Sequence, residues 1–562
     1  MHISRRLIIA SLTVAGLAIT LMNGASAGVR VDLTQPTQGL SISENWNFKV
    51  SVPSLVANPE DRVNQGLYFC AGVDDSKCVT SKDISITSHL PACDATMVTN
   101  CISSVYAIDP DGKKFEGTFQ LRIPDSSPLD FPAMQANNIP QGRGQGGIWK
   151  IPGVSHSGGN ENFYVTALLS GNLTKSANTK VTTEQAYMNR IDAGIVPVNE
   201  KRGNYVPTFG QDATYKSSDG SVNGGFGSGN LSREADKDSC VIYGDGFCEI
   251  PQEFPAGFRF GMSIKVGAPL RSGWFHGRIY RPDMKITSGS GSGQIITIDA
   301  LPVIVPSINE RISTSALSPE LKTYLSEPVQ FSMGGGYLMP GSTGTTAFDL
   351  TKLWLPLIGD KATTSRGFWE FRTLDSSGPS ELDKCTNGDT SLLGVVTTNS
   401  LVYSAGPPSF NKESESLDYK LLSPHYTADS QTATGTYDLL IRSDIARCIY
   451  GFSKAPIQAT IQVISANGEN QVATTRINES DGWIKLSAGG FTFSSPTVKV
   501  KMTQEKPAPV AVPAPTTTPA PVASMPSGGK PVVKSITCIK GKAKVVVKGA
   551  APKCPVGYKK AG

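Results

Sequence analysis

Three cysteine pairs separated by eight positions, Cys70/Cys78, Cys93/Cys101 and Cys240/Cys248, constrain this chain more than any other feature. An extended run of eight residues spans more than about 25 Å, whereas a disulfide needs Cα atoms only about 5.5–6 Å apart. Each pair must therefore sit across a hairpin or tight loop, as a local staple. Cys385/Cys448 and Cys538/Cys554 complete the ten cysteines. Closing a loop of about nine residues stabilises by about 2.5 kcal/mol in the chain-entropy picture, and the longer Cys385 to Cys448 loop by about 4 kcal/mol. Metal binding is the rival use of the thiols. The chain has no C-x-x-C and its five histidines are scattered, and cysteines outside the cytosol usually oxidise. The expectation is five nearest-neighbour disulfides, with no metal and no other cofactor.

The amino terminus agrees with an oxidising destination. Arg5 and Arg6 precede an apolar stretch from Leu7 to Met22, and Ala25-Ser26-Ala27 is an A-x-A cleavage site before Gly28. Residues 1–27 read as a signal peptide for the general secretory route, although Ser4-Arg5-Arg6-Leu7 also partly matches a twin-arginine signal. No later apolar run reaches the 18 or so residues that a membrane-spanning helix needs. The expected location is secreted or at the extracellular cell surface.

Charge divides the chain unevenly. Residues 530–562 hold nine lysines and no acid, while residues 28–529 carry 41 basic and 47 acidic groups. A nucleic-acid-binding body would show a dense basic stripe with interleaved aromatics, so that class is excluded outside the tail. Residues 504–530 are rich in Pro, Ala, Val and Thr, with prolines at 507, 509, 513, 515, 519, 521 and 526. They read as a disordered linker, whose twenty or so residues would reach roughly 60 Å in polyproline geometry. Residues 531–562 read as a basic hairpin clamped by Cys538 and Cys554, too short to fold without the clamp.

Glycine (57) and proline (38) are abundant and Ser, Thr and Asn fill the intervals, which favours an all-β fold. The expectation is tandem β-sandwich-like domains, immunoglobulin-like or jelly-roll-like, over 28–128, 129–306 and 307–503. Phe258, Phe260, Met262, Ile264 and Val266 alternate with polar or small residues, as in a strand with one wet face. Ile457, Ala459, Ile461 and Val463 repeat the pattern before a hairpin signal at Asn467-Gly468. Three short helices are expected: one capped by Ser318 with Pro319 at its start, one opened by a Thr346/Asp349 capping box, and one from Thr182 to about Ile191.

The search for chemistry returns little. G-x-S-x-G, H-E-x-x-H and the P-loop pattern are absent. Gly142, Gly144 and Gly147 match G-x-G-x-x-G, but Pro140 before them and Trp149-Lys150-Ile151-Pro152 after them leave no strand and helix, so they read as a loop. Ser155-His156-Ser157 reads as a polar loop, and Glu413, Glu415 and Asp418 as solvated carboxylates. Trp274, His276, Arg278 and Tyr280 alternate with Phe275 and Ile279, so one face carries aromatic and basic groups suited to a sugar ring or a polyanion. They are the candidate ligand-binding residues; no catalytic residue is assigned. Lys534, Lys540, Lys542, Lys544, Lys548, Lys553, Lys559 and Lys560 are the candidate envelope-binding residues, through summed attraction to anionic cell-wall polymers, glycans or lipid headgroups.

Two stretches carry a resemblance: Tyr437-Asp438-Leu439-Leu440-Ile441-Arg442-Ser443-Asp444 through Cys448-Ile449-Tyr450-Gly451-Phe452, and Ile536-Thr537-Cys538 through Pro552-Lys553-Cys554-Pro555. The first continues to Asp481-Gly482-Trp483 and Phe493-Ser494-Ser495-Pro496-Thr497. They resemble carboxy-terminal modules of uncharacterised exported actinobacterial proteins. The resemblance implies secretion and modularity and brings no catalytic residue. The leading expectation is a non-catalytic binding or structural protein of the cell surface; the alternative is a secreted carbohydrate-active or other hydrolytic enzyme.

Overall fold

A computed structural model describes residues 33–34, 36–44, 53–58, 68–76, 78–79, 81–126, 129–174, 185–205, 240–268, 270–271, 273–291, 293–327, 332–334, 336–374, 384–386, 391–453, 457–464, 470–471, 474–493, 497–504, 534–541, 543–549 and 551–561. The expected signal (1–27), nearly all of the proline-rich segment and the expected hairpin signal at Asn467-Gly468 lie outside the described residues. The fold is all-β, with several sheets and short helices. The described residues up to 504 form one compact unit and those from 534 onward another.

In the body one long sheet runs in the order Tyr68–Phe69, Ser54–Asn58, Asp83–His89, Asn162–Thr174, Tyr187–Arg202, Glu370–Thr373, Trp274–Ser288, Gly394–Thr398, Thr434–Arg442, Trp483–Thr492, Thr474–Ser480. Every pairing is antiparallel except that of Trp274–Ser288 with Gly394–Thr398. The far half of Trp274–Ser288 pairs instead with Gln294–Ser313, which in turn pairs with Arg259–Val266 and so leads to Cys101–Ile108. One strand thus passes from the first sheet into the second. Phe163, Phe260, Phe275, Ile296 and Trp369 pack in the core that the two sheets enclose.

The opposite face of the long sheet is also covered. Val396, Leu439, Ile441 and Leu486 meet Tyr419, Val498, Val500 and Met502 from a smaller sheet that contains Ser416–Leu422, Ile457–Ile464 and Thr497–Gln504. Burial on both faces explains why Tyr437-Asp438-Leu439-Leu440-Ile441 is a nearly unbroken apolar run rather than an alternating one. A third core joins Leu40 and Ile42 of strand Thr37–Ile42 to Leu321, Leu325, Leu350 and Trp354 of two helices.

These pairings correct the expected division at 128 and 306. Strand Thr37–Ile42 pairs with Ile308–Ser313, Cys101–Ile108 pairs with Arg259–Val266, and Tyr187–Arg202 pairs with Glu370–Thr373, so strands from all three expected domains share sheets. Only the cut near 505 coincides with a boundary. The helix expected from Thr182 is corrected too: Tyr187–Arg202 is a sixteen-residue strand, paired on both sides. Helix Pro319–Ser326 forms as its sequence directs, with the Ser318 side chain accepting from Leu321 N at 3.1 Å. Helix Thr345–Trp354 forms, but Gly344 is its N-cap and no side chain caps it, so the Thr346/Asp349 box is not made. A third helix, Ser443–Tyr450, ends on Gly451 in the left-handed region at φ 65°.

All five disulfides are the nearest-neighbour pairs, with Cα separations of 5.0 to 6.0 Å. The three short staples are not alike. Cys248 lies on a hairpin strand, Phe247–Pro251, and Cys240 lies just before its partner strand. Cys101 opens strand Cys101–Ile108, and Cys93 N donates to the Ile102 carbonyl at 2.9 Å, so that bond also lies beside paired backbone. The Cys70–Cys78 pair takes the loop form rather than the hairpin form. Cys78 lies on no strand but in a run of turns after Tyr68–Phe69, where its N–H donates to the Asp75 carbonyl at 2.8 Å and its own carbonyl accepts from Ser81 N at 3.1 Å. Cys78 is fully buried and packs with Cys70 and Val73 in the main core. The Cys70–Cys78 bond thus pins a turn segment against that core. Cys448 ties the third helix to Cys385. In the tail, Lys534–Lys540 is the middle strand of a three-stranded sheet, flanked by Ala543–Gly549 and Lys559–Lys560, and Cys538 joins it to Cys554.

Candidate functional site

The aromatic and basic residues of Trp274–Tyr280 do share one face, as alternation requires, but that face is interior. Trp274 packs in the second core, His276 and Arg278 are buried, and Tyr280 is half-buried against a further apolar cluster that includes Val196, Val303 and Phe368. Phe275 and Ile279 fill the first core on the other side. The expectation of an open ligand-binding face is corrected by this double burial. Packing on both faces of the sheet covers this strip from Trp274 to Ile279.

Register arranges the buried charges in two rows. Asp192, Arg372 and His276 lie across from one another on three neighbouring strands, and Glu370 and Arg278 form the next row. Glu44, from the segment after strand Thr37–Ile42, closes over them. Arg278 is 1% exposed. Its Nε donates to Glu44 Oε2 at 2.8 Å, its Nη2 donates to the same oxygen, and its Nη1 donates to the carbonyls of Thr398 at 3.0 Å and Ser400 at 2.5 Å. Arg372 Nη1 donates to Glu44 Oε1 at 3.4 Å, and its Nη2 donates to the Tyr403 hydroxyl. The Tyr403 ring stacks on His276, with centroids 4.1 Å apart and planes 7° from parallel, and Arg278 lies 4.4 Å from the same ring. Charge-assisted bonds of this kind are the strong ones, and a buried arginine needs them.

Burial opposes ionisation of Glu44, but Arg278 and Arg372 outweigh it and hold the carboxyl below its ordinary range. Glu370 goes the other way: burial, reinforced by the charge of Glu44, pushes it up to about 8. Burial and the two arginines hold the His276 imidazole well below its usual value. A carboxylate that is already shared, a carboxyl that keeps its proton and a neutral imidazole locked in a stack make a structural clamp. The signal for this cluster was present in Trp369-Glu370-Phe371-Arg372, where charges alternate with large apolar residues in a short strand. Glu44 and Tyr403 carried no signal, since only tertiary contact brings them there.

The other candidates are placed as follows. His156 Nε2 donates toward Asn160 Oδ1 at 2.8 Å and its Nδ1 accepts from Gly158 N at 3.1 Å, so it fastens its own loop. Gly146 and Gly147 begin a strand and Gly144 has φ 65°, as a turn requires. Asp418 pairs with Lys499 at 3.1 Å and Glu415 with Lys501 at 3.5 Å. Among the described residues no group of three or more His, Cys, Asp and Glu side chains is arranged to hold a metal ion.

A cleft of about 820 Å³ lies between the start of helix Thr345–Trp354 and the outer face of the smaller sheet. Thr345, Ser404, Ser409 and Thr497 contribute hydroxyls, Asp349, Asp418, Lys352, Lys420 and Lys499 contribute charges, and Phe348 contributes a ring. The sequence did not announce it, because it joins segments about 150 residues apart.

In the tail, Lys540, Lys544, Lys548, Lys553, Lys559 and Lys560 are all exposed. Lys542 is outside the described residues, and Lys534 begins the middle strand. Residues 530–562 contain no Asp or Glu, so no acidic side chain of the tail neutralises these lysines. The strand register places Lys544, Lys548 and Lys559 on one face and Lys540, Lys560 and Cys538 on the other. No known protein family, no curated protein and no solved structure matches this chain. Among the described residues no helix is long and apolar enough to cross a membrane.

Proposed function

We propose that this is an exported, non-catalytic binding or structural protein of the cell surface, whose basic tail contacts anionic groups of the envelope. The observation that carries the reading is the contrast in how charge is used. In the body, the buried Glu44, Arg278 and Arg372 satisfy one another, whereas the tail presents exposed lysines on a disulfide-clamped sheet with no acidic side chain of its own. Several lysines held on one small sheet attract a charged surface additively. The leader-like residues 1–27, with cleavage before Gly28, and the proline-rich segment as a spacer belong to the same proposal.

Deleting residues 504–562 in the producing cell tests it: the protein is expected to move from the cell fraction to the medium, and an unchanged distribution would overturn the tail's role. Amino-terminal sequencing of the exported protein is expected to begin at Gly28.

The cleft beside Phe348 favours a second reading, recognition or hydrolysis of a glycan, because hydroxyls, charges and a ring face one space. A glycan array with a broad hydrolase screen separates the two forms. Binding without turnover supports recognition, turnover supports an enzyme, and neither removes the reading.

A further inference from the structure

The open face of the tail sheet is more than basic. Along strand Ala543–Gly549, Lys544, Val546 and Lys548 point to the same side, and across the sheet this side continues through Ser535, Thr537 and Ile539 to Lys559. The opposite face carries Cys538 and receives Cys554, so the loop between the last two strands is tied to that side. Val546 is 58% exposed. An aliphatic side chain therefore stands in water between two ammonium groups on the same strand, on the face that the disulfide does not cover.

Four residues of strand separate Lys544 from Lys548 by about 13 Å, and two strand spacings separate Lys544 from Lys559 by about 10 Å. The result is a patch with lysines at three corners and Val546 on one edge. A soluble polyanion would engage the ammonium groups and leave the valine in water. An anionic bilayer engages both: the lysines lie at the headgroups with their stems along the apolar boundary, and the valine enters it. We propose that the Lys544–Val546–Lys548–Lys559 face docks on a bilayer containing anionic lipid, as a peripheral contact. This rests on the reading of the tail as an anion-binding element and assigns it one partner.

The test uses the purified full chain with two probes: vesicles of phosphatidylcholine with about 30% phosphatidylglycerol, and soluble polyphosphate. Pure phosphatidylcholine vesicles serve as control, and mapping of the Cys538–Cys554 bond certifies each variant. The protein is expected to sediment with the anionic vesicles, not with the neutral ones, and to be released by about 0.5 M salt. The triple variant Lys544→Glu, Lys548→Glu, Lys559→Glu is expected to lose vesicle binding more than tenfold. Val546→Ser is expected to lose it at least threefold while binding polyphosphate as the parent does. Polyphosphate binding without vesicle binding, or equal vesicle binding by parent and Val546→Ser, overturns the bilayer assignment and leaves the anion-binding reading standing. Binding to neither probe overturns both.

Discussion

Arg278 and Glu44 meet in the interior of the body although 234 positions separate them in sequence. Glu44 also serves Arg372, so one carboxylate answers two buried guanidinium groups. Replacing one partner of such a group leaves charge buried without compensation, which costs about 3–5 kcal/mol. Glu44→Ala is expected to lower the stability of the body by that amount in urea titration. Glu44→Leu combined with Arg278→Met should recover much of the loss; a double variant as unstable as the single one would show that the pair holds the fold by more than its charge.

Glu370 supplies a pH dependence with a definite sign. Its carboxyl titrates near 4.5 when unfolded and near 8 in the folded body. The folded state holds the proton across that interval, so this contribution is complete below about pH 4.5 and declines as pH rises toward 8. Glu44, held low by its arginines, contributes above about 4.5 and is lost only as the pH falls below that. Urea midpoints measured from about pH 5 to 9 are expected to fall more steeply for the parent than for Glu370→Gln. Identical slopes would remove Glu370 as the cause.

Gly394 has no room for a side chain. A Cβ there would overlap the Trp274 ring, which packs across the parallel strand pairing. Gly394→Ala is expected to cost about 1–3 kcal/mol through overpacking and to change the near-ultraviolet signal of the body. A variant with the parent's thermal midpoint and spectrum would refute the packing.

The Cys385–Cys448 bond closes 63 positions and anchors helix Ser443–Tyr450. Replacing both cysteines by serine is expected to cost about 4 kcal/mol. The corresponding change at Cys538 and Cys554 removes the only covalent closure of the tail, and the slow-exchanging amides of Lys534–Lys540 are expected to lose their protection. Retained protection would mean that the sheet holds without its clamp.

Local geometry made part of this molecule legible in advance. An eight-residue spacing forces a loop, so three disulfides followed from counting, and strand Arg259–Val266 followed from its alternation. Counting did not show that Cys78 would be core rather than rim, since that depends on the sheet over which its turns fold. Ser318 and Pro319 marked a helix start because the capping bond is made within three residues. Long-range pairing was out of reach. Nothing in Thr37–Ile42 names Ile308–Ser313 as its partner, so the body was divided where it is continuous. The strip from Trp274 to Tyr280 showed its two faces in sequence, but that the charged face would be covered depended on Glu44 and Tyr403, brought from opposite directions along the chain. The tail lysines were legible as charge, and the valine between them became meaningful only when register placed both on the uncovered side.

The pairing of Leu40 with Glu310 sets a schedule for synthesis. At the usual 5–20 residues per second, the 270 positions between them take roughly 15 to 50 s to emerge. Throughout that interval the first strand holds Leu40 and Ile42 ready for a neighbour that has not yet been made. A ribosome halted before residue 308 would carry a chain with an early edge still open, and it is in that window that a chaperone would find it.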